Sequence, residues 1–352
     1  MSCSKTLEEN RATKTMQTQR EKMKAIVRAK YGSPDVLQLK EIEKPAPTEN
    51  EVLVKVSAAS INKADLFFLR GHFLARLTGV GVLRPKNNML GADIAGRVEA
   101  VGGDVKQFQP GDEVFGWCGQ RGLAEYACTK EDALVLKPAN VTFEEAAAVP
   151  VAAITALQAI RDKGHVQSGQ KVLIYGASGG VGTFVVQIAK SFGADVTAVC
   201  SARNLDNARS LGADHVVDYA QEDVTKSGQL YDLIISVNGY HSILDYRRAL
   251  SPKGTYVFVG GSKVVTQLFQ TMLLGPLISK TGSKKMGFMG IAKINQKDLT
   301  FLKELLEARK VVPVIDRRYT LNEVPEAYRY FEEGHAKGKV VITLEQSSRE
   351  VD

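Results

Sequence analysis

The sequence predicts a two-part protein: a β-rich first half, then an α/β second half built on a parallel sheet. Three observations lead to this prediction. Short β-like runs separated by turn residues fill the first half, strands and helices alternate after Pro150, and a glycine-rich loop joins a strand to a helix in the second half. The length of 352 residues also favours two domains over one.

The first half contains short apolar or alternating runs bounded by Gly, Pro, Asn and Asp. The runs cover residues 24–29, 36–42, 51–59, 91–101 and 113–115. In residues 51–59 the valines alternate with polar side chains, which is typical of a strand with one buried face. Turn signals close to each run indicate antiparallel neighbours. We therefore expect an antiparallel, barrel-like first domain.

The second half alternates between strand and helix patterns. The expected helices cover residues 151–162, 180–192, 205–211 and 296–309, and the expected strands cover 171–175, 195–200, 215–217, 233–237, 255–259 and 339–344. Strands that alternate with helices are joined by right-handed crossovers in a parallel sheet. This half is therefore expected to be a doubly wound sheet.

Composition argues against several classes of protein. Without about 18 consecutive apolar residues, no membrane span is expected. The formal charge is +7, but the basic residues are spread along the chain without a dense basic run, so nucleic-acid binding is not expected. Residues 1–22 are polar, lack the apolar core of a secretory signal and contain acids that transit peptides avoid, so they are interpreted as a flexible extension.

The four cysteines indicate a reducing compartment. Cys3, Cys118, Cys128 and Cys200 form neither a CxxC pair nor a cluster at zinc-ligand spacing with histidine. They are expected to be free thiols, which makes the cytoplasm the predicted location.

The sharpest motif is the glycine-rich loop at residues 176–182, between an apolar strand and a helix. Glycine lets a pyrophosphate approach the backbone, and the N–H groups at the start of a helix bind the anion. Compared with the G-x-G-x-x-G fingerprint, Ala177 replaces the first glycine, whereas Gly179 and Gly182 are present. Because the strand–loop–helix context is also present, the motif predicts a dinucleotide site.

The end of the next strand indicates which dinucleotide binds. Enzymes that use NAD place an acidic residue there to bind the ribose 2′-hydroxyl. This chain has Ser201 and Arg203 instead, which can hydrogen-bond and pair with a 2′-phosphate. The sequence therefore predicts NADPH, with NADH weaker. In a second interpretation, Arg203 is only a solvated residue at a helix start.

Motifs along most of the chain resemble the medium-chain dehydrogenase/reductase superfamily, and within it the zinc-free quinone oxidoreductases and zeta-crystallin-like proteins. The resemblance covers roughly residues 23–344. It is carried by the motifs at residues 60–65, 91–96, 111–114, 177–182, 193–194, 211–214 and 338–341.

The resemblance implies the fold and the domain bounds. It implies a GroES-like β-barrel catalytic domain over residues 23–149, completed by residues 291–346, and a Rossmann NADP-binding domain over residues 150–290. The active site would lie in the cleft between them. A homodimer is also implied, with the sheet edge near residues 255–259 as its candidate surface.

The resemblance further implies that zinc is absent. Zinc-dependent alcohol dehydrogenases of this superfamily have Cys at the position of Asn62, and Gly-His-Glu at residues 91–93, which here are Gly-Ala-Asp. A structural-zinc cysteine quartet is also missing. The five histidines are scattered, and a catalytic zinc needs three protein ligands, so the residues agree with this expectation.

The resemblance assigns the site residues. Asn62 and Asp65 would line the nicotinamide end, with Asn62 the candidate catalytic donor. Asp65 alternatively caps a helix that starts near Ala64, Tyr219 is alternatively a loop aromatic, and Asn62 alternatively fixes a loop or the nicotinamide ribose. The other implied cofactor contacts are Thr155, Ser178, Gly179, Gly180, Val181, Ser201, Arg203, Tyr219, Val259, Gly260, Gly261 and Lys339.

Two departures from the family pattern affect the substrate. Lys63 replaces a common Pro and Phe67 replaces a common Tyr, so a substrate-orienting hydroxyl is absent. Residues 70–88 either shape the cleft or form a surface loop. The expected function is NADPH-dependent reduction of a quinone or an α,β-unsaturated carbonyl compound without zinc. The alternatives are an NADP-dependent alcohol or carbonyl dehydrogenase, and a cofactor-binding protein with a structural or regulatory role.

Overall fold

The structure, a computed structural model, describes residues 21–72, 81, 83–238, 241–261 and 264–344. Its strands, in chain order, are β1 (Lys22–Val27), β2 (Gln38–Glu43), β3 (Glu51–Ile61), β4 (Asp93–Val101), β5 (Glu113–Trp117), β6 (Tyr126–Lys130), β7 (Leu134–Leu136), β8 (Lys171–Tyr175), β9 (Asp195–Cys200), β10 (His215–Asp218), β11 (Tyr231–Ser236), β12 (Leu250–Phe258), β13 (Lys285–Phe288), β14 (Ile315–Thr320) and β15 (Lys339–Thr343).

Helices connect most of the later strands. They are α1 (Lys63–Arg70), α2 (Phe143–Ala147), α3 (Pro150–Leu157), α4 (Gly182–Ser191), α5 (Leu205–Ser210), α6 (Ile243–Ala249), α7 (Val264–Thr281), α8 (Gln296–Glu307) and α9 (Val324–Glu332). Short 3-10 segments lie at Pro34–Val36, Glu131–Ala133, Ala202–Asn204 and Leu321–Glu323, and a π-helical segment, Gln158–Lys163, extends α3.

The first half folds around a largely antiparallel sheet, as the turn-separated runs predict. A seven-stranded sheet has the order β14-β15-β3-β4-β5-β7, with β6 also paired to β3, and β1 pairs separately with β2. The C-terminal strand β15 returns to this sheet and runs antiparallel to β3, so that Val340 faces Ile61. Only β14 pairs in parallel here, with β15. The GroES-like class expected from the sequence is confirmed, whereas the domain bounds 23–149, 150–290 and 291–346 stay a prediction.

The second half forms the expected doubly wound sheet. Its order is β10-β9-β8-β11-β12-β13, and every neighbouring pair is parallel. Numbered from β8, this is the 3-2-1-4-5-6 order of dinucleotide-binding sheets. The order reverses between β8 and β11, and ligands of such sheets bind beyond the carboxyl ends of the strands at that point.

One hydrophobic cluster joins the two halves. It includes Phe115 and Val341 of the first sheet and Ile174 of the second, together with Phe184 in α4. Helix α3 lies in the same cluster, in which its residues Ala152, Ala153, Ile154, Ala156 and Leu157 are buried. Because these side chains share one core, the carboxyl edge of the parallel sheet is fixed against the barrel.

Several predicted bounds are shifted. Strand β1 lies earlier in the chain than the expected residues 24–29, and β2 begins later than the expected residue 36. A loop that contains the 3-10 turn Pro34–Val36 separates the two strands. Lys22, placed in the flexible extension, belongs to β1, and the rest of that extension falls outside the described residues apart from position 21. Helix α4 begins at Gly182 instead of residue 180, because residues 176–181 form the turns of the glycine loop.

The proposed dimer surface is wrong. Residues 255–259 do not form a sheet edge, because β12 pairs with β11 on one side and with β13 on the other. Helix α7 and strand β13 lie in residues 262–295, where the sequence pattern predicts no element. Among the described helices, none is long and apolar enough to cross a bilayer.

Candidate active site

The glycine-rich loop follows β8 and is held tightly in place. Gly176 has a positive φ of 84°, which favours glycine. Its N–H and that of Ala177 donate to the carbonyl oxygen of Val199, at 3.0 Å and 3.1 Å. A Cβ on Gly182 would lie 2.1 Å from the carbonyl oxygen of Gly176, so only glycine allows the helix to start this close to the strand.

The middle of the loop leaves space for a ligand. Ser178, Gly179, Gly180 and Val181 are partly exposed. A Cβ on Gly179 would come no closer than 3.8 Å to any neighbour, the carbonyl oxygen of Gly176. This open backbone lies directly before the N-terminus of α4, where N–H groups and the helix dipole favour an anion. The residues present therefore fit the pyrophosphate of a nicotinamide dinucleotide.

The residues expected at the adenosine phosphate lie together. Ser201 follows β9, and its hydroxyl accepts a hydrogen bond from the Asn204 amide at 3.0 Å. Arg203 lies two residues further, in an exposed 3-10 turn. The N–H of Tyr219 donates to the carbonyl oxygen of Cys200 at 3.2 Å, and its side chain is 55% exposed. The chain thus presents a cation, a hydroxyl and an aromatic ring at one edge of the sheet.

The residues expected near the nicotinamide come from two elements. Val259, Gly260 and Gly261 follow β12, and the first two donate backbone N–H groups to the carbonyl oxygen of Ser236 in β11, at 2.9 Å and 3.4 Å. Thr155 lies in α3 and is half-buried, but its hydroxyl donates to the carbonyl oxygen of Val151 at 2.7 Å. In this structure the Thr155 hydroxyl hydrogen is therefore used within its own helix.

Asp65 caps the helix that begins after Asn62. One of its carboxylate oxygens accepts the N–H of Asn62 at 2.8 Å, and Asp65 is 1% exposed. This confirms the capping alternative for Asp65. Desolvation raises the pKa of Asp65 to about 7, although the hydrogen bond from the Asn62 backbone acts to lower this pKa.

Asn62 belongs to a buried polar cluster with Asp93 and Lys339. Its amide nitrogen donates to the Asp93 carboxylate at 2.8 Å, and its amide oxygen accepts the Lys339 ammonium at 2.6 Å. The Lys339 nitrogen is also 3.5 Å from the same Asp93 oxygen, with both side chains almost fully buried. Ser60 donates to that oxygen at 3.2 Å, and the N–H of Val151 donates to the other at 3.1 Å.

Burial controls the titration of this cluster. It raises the pKa of Asp93 and lowers the pKa of Lys339, although the attraction between the two charges acts in the opposite direction on each. Keeping Asp93 and Lys339 charged therefore costs solvation free energy, and either charge without its partner would be strongly disfavoured.

The cluster also connects the barrel to the phosphate loop. A Cβ on Gly180 would lie 3.2 Å from the Lys339 Cδ and 3.2 Å from the carbonyl oxygen of Gly338. Lys339 thus packs against the loop while its ammonium group binds Asn62. The structure brings together Asn62, Lys339 and the loop, whereas Asp93, which holds both polar groups, was not assigned a site role from the sequence.

The residues do not fit a catalytic zinc ion. Asn62 stands where the zinc-dependent relatives have Cys, Ala92 offers no ligand atom, and Asp93 is occupied by four donors. A positively charged Lys339 beside it would also repel a cation. In the part of the chain that the structure describes, no group of three His, Cys, Asp or Glu side chains could hold a metal.

The segment at residues 70–88 is described only in part, since residues 73–80 and 82 fall outside the described residues. The Tyr31 hydroxyl donates to the carbonyl oxygen of Gly81, within this segment, at 2.7 Å. Its expected role at the cleft stays a prediction.

Two protein-family profiles match the chain: the alcohol dehydrogenase GroES-like domain over residues 48–177 and the zinc-binding dehydrogenase family over residues 211–342. Similar proteins include the 2-methylene-furan-3-one reductase of Solanum lycopersicum, 36% identical over 91% of this chain and 79% of that one. The NADPH-dependent alkenal/one oxidoreductase, chloroplastic, of Arabidopsis thaliana is 34% identical over the same shares. The mitochondrial NAD(P)H oxidoreductase RTN4IP1 of Mus musculus is 34% identical over 92% of this chain and 89% of that one.

Solved structures agree with these matches. The quinone oxidoreductase from Coxiella burnetii superposes with a TM-score of 0.80 at 30% identity, and the match covers 92% of this chain and all of that one. The expected fold and superfamily are therefore confirmed. This chain is an oxidoreductase that belongs to the medium-chain dehydrogenase/reductase superfamily, in the branch of the quinone oxidoreductases.

Proposed function

We propose that this protein is an NADPH-dependent reductase of quinones or α,β-unsaturated carbonyl compounds that works without zinc. The relatives named above act, by their names, on furanone, alkenal or enone, and quinone substrates. The observation that carries the proposal is the Asn62–Asp93–Lys339 cluster beside the phosphate loop. Within it, Asn62 stands where zinc-dependent relatives have Cys, and the cluster presents an oriented amide there.

In this proposal the chain supplies orientation and polarity, while the bound nicotinamide supplies the hydride. Asp93 and Lys339 each bind one end of the Asn62 amide, which fixes its rotation. The amide nitrogen has two hydrogens, and Asp93 takes one. We propose that the second hydrogen is donated to the acceptor oxygen as negative charge develops there, and that water delivers the final proton.

A turnover screen tests the reaction class. Quinones, enones, enals and aldehydes are offered with NADPH, and the nicotinamide absorbance is followed with and without a metal chelator. We expect turnover of NADPH with quinones or enones, and we expect the chelator to leave its rate unchanged. Zinc bound stoichiometrically and lost together with activity would contradict the metal-free reaction.

The same screen separates the two alternative functions. Oxidation of simple alcohols without reduction of quinones or enones would identify an alcohol or carbonyl dehydrogenase. Tight NADPH binding without turnover of any acceptor would favour a structural or regulatory role.

The preference for NADPH is tested at Arg203. We expect Arg203→Ala to weaken NADPH binding by about 1.5–3 kcal/mol, because one charge-assisted contact to the 2′-phosphate is lost. Binding of NADH, which lacks that phosphate, should change little. Dissociation constants from fluorescence titration measure both effects. Arg209→Ala, another exposed arginine nearby, is the matched control and should change neither constant. Equal affinity of the unmodified protein for both cofactors would contradict the preference.

Assembly and location complete the proposal. We expect a homodimer, although two copies cannot join by pairing their β12 strands, and sedimentation velocity measures the assembly. We also retain the cytoplasm as the proposed location, supported by the free, buried thiols of Cys118, Cys128 and Cys200.

A further inference from the structure

Helix α7 presents an apolar face to solvent. Phe269, Met272, Leu273 and Leu277 are 64%, 63%, 58% and 59% exposed. Their spacing of three and four residues places them on one side of the helix. Single exposed apolar residues are ordinary, but a row of four large ones on one helix face indicates an interaction surface.

The opposite face of α7 explains why these side chains cannot turn inward. Gln267 and Thr271 are 6% and 3% exposed, and both belong to the face packed on the sheet. A Cβ on Gly275 would lie 2.8 Å from the carbonyl oxygen of Met286 in β13, so the helix backbone packs directly on that strand. Polar and small residues therefore make up much of the inner face, together with the buried Ile278, and four large apolar residues lie on the outer face. An ordinary surface helix keeps its large apolar residues on the inner face.

The charged residues in the stretch of sequence that contains α7 are all of one sign. Residues 246–297 contain no Asp or Glu, although Asp245 and Asp298 directly flank this stretch. It contains nine basic residues: Arg247, Arg248, Lys253, Lys263, Lys280, Lys284, Lys285, Lys293 and Lys297. An apolar face on a stretch of chain whose own charges are all positive fits a partner that is both apolar and anionic.

We propose that α7 docks the protein on the surface of an anionic lipid bilayer. The helix lies parallel to the membrane plane, with Phe269, Met272, Leu273 and Leu277 inserted among the acyl chains. The surrounding lysines and arginines, including Lys280 and Lys285, contact lipid phosphates and carboxylates. Interfacial helices bind membranes by this combination of apolar burial and attraction to anionic lipids. The proposal goes beyond the reductase function and does not depend on it.

A second copy of the chain fits this surface less well. Two copies joined face to face would bring the same positive side chains, Lys280 among them, close together, which disfavours the contact. The neighbouring strand β13 carries an exposed Lys285, a residue type that protects sheet edges against strand pairing. Charge complementarity therefore favours an anionic bilayer over self-association.

Vesicle flotation with the full chain tests the proposal. One set of vesicles contains phosphatidylcholine alone, and the other contains equal parts of phosphatidylcholine and phosphatidylserine. We expect binding to the anionic vesicles to be at least about ten-fold stronger and to weaken with salt. The triple variant Phe269→Ser/Leu273→Ser/Leu277→Ser and the double variant Lys280→Gln/Lys285→Gln should each lose about ten-fold or more of this binding.

Matched variants on other faces serve as controls. Leu136→Ser removes an exposed apolar residue of the barrel, and Lys40→Gln/Lys310→Gln removes two exposed lysines elsewhere. Both should bind as the unmodified protein does, and thermal unfolding confirms that each variant is folded. Absent vesicle binding, or binding that the α7 variants retain, would overturn the proposal. The proposal would also fail if the unmodified protein did not bind vesicles and the only effect of the triple serine variant were to convert a dimer to a monomer.

Discussion

Replacing Lys339 with methionine is expected to lower the free energy of unfolding by about 3–5 kcal/mol. The Asp93 carboxylate is buried, and Lys339 is its positively charged partner at 3.5 Å. Methionine keeps much of the volume of the side chain but leaves the carboxylate without a cation. Urea unfolding followed by circular dichroism measures the change. The double variant Asp93→Asn/Lys339→Met removes both charges and should recover most of the loss.

An exposed ion pair provides the control for this prediction. Arg70 and Glu332 approach to 2.6 Å, closer than Lys339 and Asp93, but their side chains are 44% and 24% exposed. Solvent screens such pairs, so Arg70→Gln should cost no more than about 1 kcal/mol. If Lys339→Met costs as little as Arg70→Gln, the buried pair does not hold the cluster together.

The loss caused by Lys339→Met should grow with pH. Burial raises the pKa of Asp93 in the folded protein, and removing the nearby cation raises it further. A folded carboxyl with a raised pKa binds more protons than the unfolded chain, so stability falls as pH rises above the ordinary aspartate pKa of about 3.9. The difference between variant and unmodified protein should therefore be smaller at acidic pH than at neutral pH. If the loss of stability in Lys339→Met did not depend on pH, it would be assigned to packing instead.

Local patterns in the sequence predicted the sheet and its phosphate loop. The strand at 171–175, the loop at 176–182 and Arg203 all lie within about one βαβ unit. Residues close together in the sequence are therefore enough to predict that these features lie close together in the fold. The order of the parallel strands follows from the same alternation. These features could be derived before any coordinates were known, apart from shifts of a few residues at element ends.

The buried cluster could not be derived in this way. Asn62 and Lys339 are separated by 277 positions, and Asp93 and Lys339 by 246, so no local pattern connects them. One signal was present: Asp93 and Lys339 each begin a strand and are followed directly by apolar residues, and buried charges require partners. Helix α7 was missed for a different reason, because large apolar residues lie on its exposed face as well as on its buried one, which blurs the helical pattern.

Replacing Asn62 with alanine is expected to lower kcat about 10- to 1000-fold on the best acceptor, with NADPH affinity nearly unchanged. The expectation rests on the amide hydrogen that Asp93 does not use and that Lys339 and Asp93 hold in a fixed direction. A donor that acts on developing charge stabilises the transition state more than bound NADPH, so kcat falls while the cofactor dissociation constant stays the same. Steady-state turnover and fluorescence titration measure the two quantities separately.

Ser60→Ala separates catalysis by Asn62 from general damage to the cluster. Ser60 donates to the same Asp93 oxygen at 3.2 Å but has no hydrogen bond to Asn62, so its loss disturbs the carboxylate and spares the amide. We expect kcat of this variant to stay within about ten-fold of the unmodified protein, since the removed contact is to Asp93 and not to the substrate. An equal fall in kcat for both variants would assign Asn62 a positioning role. A loss of NADPH affinity alone in Asn62→Ala would instead place the amide at the nicotinamide ribose.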